Sequence, residues 1–187
     1  MAWPDSERIQ RREKVYRVKA LIVVDVQNGV YSYEGTEVLA GERTVSTING
    51  LIARCRAAVC PVVFIRHEDD ELQPGSEAWG LIGALDVRED DTILSKRHGS
   101  AFHDTPLDGL LRSLGVGQVV VCGMQSELCV DSTCRHAFSL GYQVELASDA
   151  HTTFDSPALS ASQIVDHHNR TLRSYCEVLP AESIAFE

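Results

Sequence analysis

Six short apolar runs, separated by stretches of helical periodicity, limit the folds open to this chain. KALIVVDV at residues 19–26 holds an unbroken apolar stretch, as a strand must when both of its faces are covered. PVVFIR (61–66), TILSK (92–96), QVVVCG (118–123), QVELAS (143–148) and CEVL (176–179) read as five further strands. Helical patterns fill residues 43–58, 105–114, 128–140 and 158–172. In the first of these, Val45, Ile48, Leu51 and Ile52 share one face. Gly115 and Gly141 stop the second and third. Strands alternating with helices predict a mainly parallel sheet of about six strands with helices on both faces. The expected architecture is a three-layer α-β-α, doubly wound, Rossmann-like domain over residues 19–187. A polar arm, residues 1–18, precedes it.

A doubly wound sheet gathers its chemistry at the carboxyl ends of its strands. Asp25 ends the first strand, Lys96 ends the third, and Cys129 follows the fourth at the expected start of a helix. The three can converge on one edge. A helix start and a nearby lysine both favour a thiolate, and a carboxylate can take the thiol proton. Such a set suits attack by Cys129 on a carbonyl carbon, with backbone N–H groups near the helix start holding the oxyanion. Cys122, in a buried strand, and Cys134, more than a turn inside the helix, read as core.

Composition removes whole classes of partner. With 17 Lys and Arg against 27 Asp and Glu, the net charge of −10 argues against nucleic acid and anionic membrane surfaces. The longest apolar runs are strand-sized, so no segment is expected to span a membrane. The six cysteines form no C-x-x-C pair, and the polar N-terminus lacks the apolar stretch of a signal peptide. A reducing cytoplasm is the expected compartment.

On LIVVDVQNGV, LSKRHGSAF, VVVCGMQSELCVDSTCRHAFSLGYQV and SDAHTTFD, the chain resembles the isochorismatase-like cysteine hydrolase superfamily. That superfamily includes nicotinamidases, N-carbamoylsarcosine amidohydrolases and streptothricin hydrolases. The resemblance maps the family triad onto Asp25, Lys96 and Cys129. It implies a non-proline cis bond at Met124–Gln125, which turns the Gln125 N–H toward an oxyanion beside the N–H of Cys129. It further implies a homo-oligomer, dimer or tetramer, acting on a small molecule without a cofactor. Nicotinamidases carry an Asp-x-His metal site after the second strand. Here that loop begins RHEDDE, so no metal is expected and His67 reads as part of a charged, solvated loop.

The expected activity is hydrolysis of a C–N bond in a small amide, ureido or lactam substrate through an acyl-enzyme on Cys129. Two rivals stand beside it: a vinyl-ether hydrolase working through Asp25 alone, and a non-catalytic small-molecule-binding member of the fold. Gln27, Tyr31, Trp79, Phe102 and His151 are candidate substrate contacts. The long irregular stretch 67–91 reads as a lid, a binding loop or a subunit contact.

Overall fold

The computed structural model describes residues 18–33 and 35–186. The expected arm, residues 1–18, lies outside the described residues except for Val18. The main sheet has six strands: β1 (Val18–Val24), β4 (Val62–His67), β5 (Thr92–Lys96), β6 (Val116–Met124), β7 (Gln143–Thr152) and β8 (Glu177–Leu179). They lie in the order β5-β4-β1-β6-β7-β8, and every neighbouring pair is parallel. Chain order runs outward from β1 to β4 and β5, then returns to β6 and runs outward the other way. The switch point therefore lies between β1 and β6. Two elements without a counterpart in the sequence reading lie between β1 and the first long helix. They are a short helix, α1 (Asn28–Tyr31), and a two-stranded hairpin of β2 (Ser32–Tyr33) and β3 (Thr36–Glu37).

Alternate residues of the sheet feed two cores. Leu21, Val23, Phe64 and Val120 pack with Val45, Ile48, Leu51, Ile52 and Cys55 of α2 (Gly41–Ala57). Ala20, Ile22, Val24, Val63, Ile65, Val119 and Val121 pack on the other face. Their partners there are Leu107 and Leu111 of α3 (Leu107–Ser113) and Cys134 and Ala137 of α4 (Asp131–Ser139). This two-sided burial explains why β1 has no polar face. Full burial of each large aliphatic side chain is worth roughly 1.5–3 kcal/mol before chain entropy is counted. A last helix, α5 (Ala161–Thr171), opens with a capping box from Ser160 and Gln163. No helix among the described residues is long and apolar enough to cross a membrane.

The switch point depends on one glycine. Gly123 has φ +122°, and a Cβ there would lie 2.0 Å from the Val24 carbonyl oxygen. Only a residue without a side chain lets β6 run this close to the end of β1. Asp25, next after Val24, takes φ +50°, a left-handed conformation unusual for a non-glycine residue.

The stretch 67–91 is pinned to the segment after β1. An isolated antiparallel bridge pairs Gln27 with Leu81, and the Ile82 N–H donates to the Val26 carbonyl at 3.1 Å. Asn28 and Gly29 donate to the carbonyls of Gly80 and Ala78, each at 2.9 Å. Gln27, fully buried, closes the join. Its Nε2 donates to the carbonyls of His67 and Trp79, and its Oε1 accepts the His67 N–H at 2.7 Å. Each such bond contributes about 0.5–1.5 kcal/mol net, and losing one partner strands a buried polar group.

Candidate active site

Three strand ends and one turn meet at the switch edge. Asp25 follows β1, His67 ends β4, and Lys96 ends β5 directly across the ladder from His67. Cys129 lies in a π-helical turn, Ser126–Val130, between β6 and α4. The Lys96 ammonium stands at their centre. Its Nζ is 2.6 Å from Asp25 Oδ2, 3.0 Å from His67 Nδ1 and 3.2 Å from Cys129 Sγ. The Lys96 side chain is 0% exposed and that of Asp25 2%. The Met124–Gln125 bond is cis.

The electrostatics depart from the expectation of a helix start stabilising a thiolate. Helical structure begins at Ser126, so Cys129 is already the fourth residue of the turn, not its first. Burial, then the charge of Asp25, push the Cys129 thiol up to about 12, while Lys96 pulls the other way. Burial also raises the Asp25 carboxyl above the ordinary carboxylate range, against the pull of Lys96. The resting pair is therefore a thiol beside a carboxylate with strengthened proton affinity. Moving the proton from Sγ to Asp25 keeps the net charge of the trio constant and leaves the thiolate beside the ammonium. That transfer is far easier than releasing a proton to solvent from so buried a group.

A cavity of about 800 Å³ opens onto Asp25, His67 and Cys129. Val30, Leu72, Leu128 and Phe154 give it apolar walls, and Asp69 and Glu71 add two carboxylates. Met124 and Gln125 also line it. The five expected substrate contacts do not. Gln27 is the buried strut described above. Tyr31 packs over Gly41 at the start of α2, where a Cβ on that glycine would lie 2.7 Å from the Tyr31 ring. Trp79 lies under the Arg66 guanidinium, 3.5 Å from its ring centre. Phe102 is buried in the core, its ring centre 5.6 Å from that of Tyr142. His151 is buried behind the turn. Its Nδ1 is 2.8 Å from Ser126 Oγ and its Nε2 3.1 Å from Asn169 Oδ1, and burial lowers its proton affinity to about 4. It braces the turn that carries Cys129 from outside the cavity.

His67 is the residue that the sequence reading set aside. Its place directly after the second strand, read from sequence as ending at Arg66, was signal enough, since the same rule of strand ends selected Asp25 and Lys96. The charged neighbours in RHEDDE hid it.

Asp25, His67 and Cys129 also have the spacing of a metal site, their ligand atoms lying within 4.8 Å of one another. The Lys96 ammonium, within 3.2 Å of all three, already holds the position and the charge that a cation would take. These residues therefore do not fit a metal ion. Dialysis against a chelator is expected to leave activity unchanged. Loss on chelation with recovery on adding Zn²⁺ or Mn²⁺ would show that Lys96 can swing aside.

The isochorismatase domain matches residues 19–175. A streptothricin hydrolase from Streptomyces noursei is 37% identical over 145 residues, 75% of this chain. The match spans only 52% of that protein, so the chain corresponds to about half of its length. A ureidoacrylate amidohydrolase from Klebsiella pneumoniae is 29% identical over 169 residues, covering 70% of this chain and 72% of that protein. The crystal structure of a cysteine hydrolase from Pseudomonas syringae pv. phaseolicola aligns with a TM-score of 0.82 at 28% identity. That alignment covers 88% of this chain and 89% of the other.

Proposed function

Because this chain belongs to the isochorismatase family, we propose that it is a cysteine hydrolase cleaving a C–N bond of a small amide, ureido or lactam substrate. The carrying observation is the Lys96 ammonium bridging Asp25 and Cys129, at 2.6 and 3.2 Å, on the wall of a cavity large enough for a small molecule. Relatives named as an amidohydrolase and a cysteine hydrolase support the reading.

In this reading Asp25 takes the Cys129 proton as Sγ attacks the carbonyl carbon. The C–N bond then breaks as Asp25 returns that proton to the leaving nitrogen. A thioester remains on Cys129. Water, deprotonated by Asp25, attacks the thioester, and the thiol recovers its proton. Lys96 keeps a positive charge beside whichever of Asp25 and Sγ is negative. The N–H groups of Gln125 and Cys129 serve as oxyanion donors. Hydrolysis through Asp25 alone would give the cysteine beside Lys96 nothing to do.

The lining also favours a class of substrate. Asp69 and Glu71 carry negative charge at the cavity, and among the described residues no lysine or arginine is part of its lining. Substrates bearing a free carboxylate meet repulsion there. A hydrolysis screen, read as ammonia release for primary amides and ureido acids and as ring opening by mass spectrometry for lactams, is expected to find turnover, with neutral and cationic substrates faster than carboxylates. Cys129→Ala serves as the control. No hydrolysis in any of the three classes would overturn the hydrolase reading, and faster carboxylates would overturn the charge preference.

A further inference from the structure

An ammonium has three protons and no acceptor, and this fold offers the Lys96 ammonium three acceptors. Two are Asp25 Oδ2 and Cys129 Sγ, the groups of the proposed chemistry. The third is His67 Nδ1, at 3.0 Å. Since Nζ can only donate, Nδ1 must present its lone pair. The imidazole is then neutral, with its proton on Nε2. Nε2 faces a carboxylate oxygen, Asp69 Oδ2, at 3.3 Å. The other oxygen of Asp69 is fixed by the N–H groups of Leu72 and Glu71, at 2.8 and 2.9 Å. A chain of donors thus runs through four side chains: the His67 Nε2–H faces Asp69, while Lys96 donates both to His67 and to Cys129.

We propose that His67 is a positioning residue whose neutral imidazole, with its tautomer set by Asp69, holds the Lys96 ammonium aimed at Asp25 and the Cys129 sulfur. The inference rests on the reading of Cys129 as nucleophile and adds a fourth side chain to it. Without the third acceptor, one N–H of a fully buried ammonium has no partner. The ammonium then either turns toward another acceptor, off the sulfur, or gives up a proton more readily. Either change weakens support for the thiolate. Direct removal of the thiol proton by His67 is a poorer fit, because the Nδ1 lone pair is already taken by Lys96.

The charged and titratable groups facing the imidazole are Lys96 from β5, Asp25 after β1, Cys129 from the π turn, and Asp69 from its own loop. Burial and Lys96 lower its affinity for a second proton, and the two carboxylates oppose them without prevailing. The neutral form therefore holds at and above pH 7. A doubly protonated ring would turn an N–H toward the ammonium and break the contact.

The test uses the full chain and iodoacetamide, so it needs no substrate. His67→Leu keeps the bulk of the cavity wall and removes the acceptor. His67→Asn places an amide oxygen where Nδ1 was. Labelling of Cys129, followed by peptide mapping at pH 8, is expected to slow about 10-fold in the leucine variant, the scale set by one unsatisfied buried donor. It is expected to stay within about 3-fold of the parent in the asparagine variant, which restores that donor's partner. Circular dichroism checks that both are folded. In the parent protein, ¹⁵N imidazole shifts are expected to show a bare Nδ1 and a protonated Nε2 at pH 7.5, a readout that survives failure of either variant to fold. Equal labelling of parent and leucine variant, an asparagine variant as slow as leucine, or a protonated Nδ1 would each overturn the proposal. An empty hydrolysis screen, by contrast, would overturn the hydrolase reading while leaving these labelling and tautomer results as they stand.

Discussion

Cys129→Ala is expected to lower turnover by at least about 1,000-fold, the scale seen when an enzyme loses its nucleophile. The fold should survive. The side chain is half-buried on a cavity wall, so shortening it by one sulfur removes little packing. Activity remaining in the variant would have to come from Asp25 acting on water, and retention of near-normal turnover would favour the Asp25-only rival. Thiol labelling makes the same point on the parent protein. Cys55, Cys122 and Cys134 are 0% exposed, and Cys60 and Cys176 only 8%. Iodoacetamide should therefore reach Cys129 first, and a mapping that found Cys122 or Cys134 labelled ahead of it would sink the assignment. The pH dependence has a definite sign. With the thiol pushed up to about 12, the thiolate fraction, and with it the labelling rate, should still be climbing at pH 10. A plateau near pH 8 would mean that Lys96 outweighs burial and the charge of Asp25.

The parallel sheet was legible because its strands are buried on both faces, which leaves unbroken apolar runs such as ALIVV at 20–24. Asp25, Lys96 and Cys129 were legible because strand ends share one edge, whatever lies between them in sequence. What escaped has tertiary causes. β7 runs to Thr152, beyond the apolar QVELAS. Its polar end is buried by partners distant in the chain, as where Thr152 Oγ1 donates to the Leu39 carbonyl and His151 meets Asn169. Gln27 read as a cavity wall, yet its amide is spent on the backbone of His67 and Trp79, some 40 and 52 residues away. No local pattern announces such a bond. The same limit applies to the π turn. A helical period fits the segment from Leu128 onward, but helical structure starts two residues earlier, at Ser126, which puts Cys129 fourth in the turn.

Lys96→Ala is expected to cut turnover by at least about 100-fold with the fold retained, the order of loss for one preorganised charge in a closed site. The lysine does two things at once, and both fail together. It is the cation beside the nascent thiolate, and its charge is the largest pull against the burial that raises Asp25. With the ammonium gone, Asp25 stays buried with its ion-pair partner lost, so its carboxyl rises further. A carboxyl whose folded value is raised keeps its proton, as pH rises, until that higher value is passed. The base of the reaction is then protonated over a wider range, and the acid limb of the pH–rate profile should move to higher pH. Removing one member of a buried pair commonly costs about 3–5 kcal/mol, because a charge is left uncompensated. Here Asp25 escapes most of that penalty by taking up a proton, which is why the variant should fold yet fail to turn over. The decisive measurement is kcat/KM as a function of pH for parent and variant, with circular dichroism as the check on folding. A folded variant with near-parental kcat/KM and an unmoved acid limb would reduce Lys96 to a structural cation and remove the chemical basis for reading Cys129 as the nucleophile.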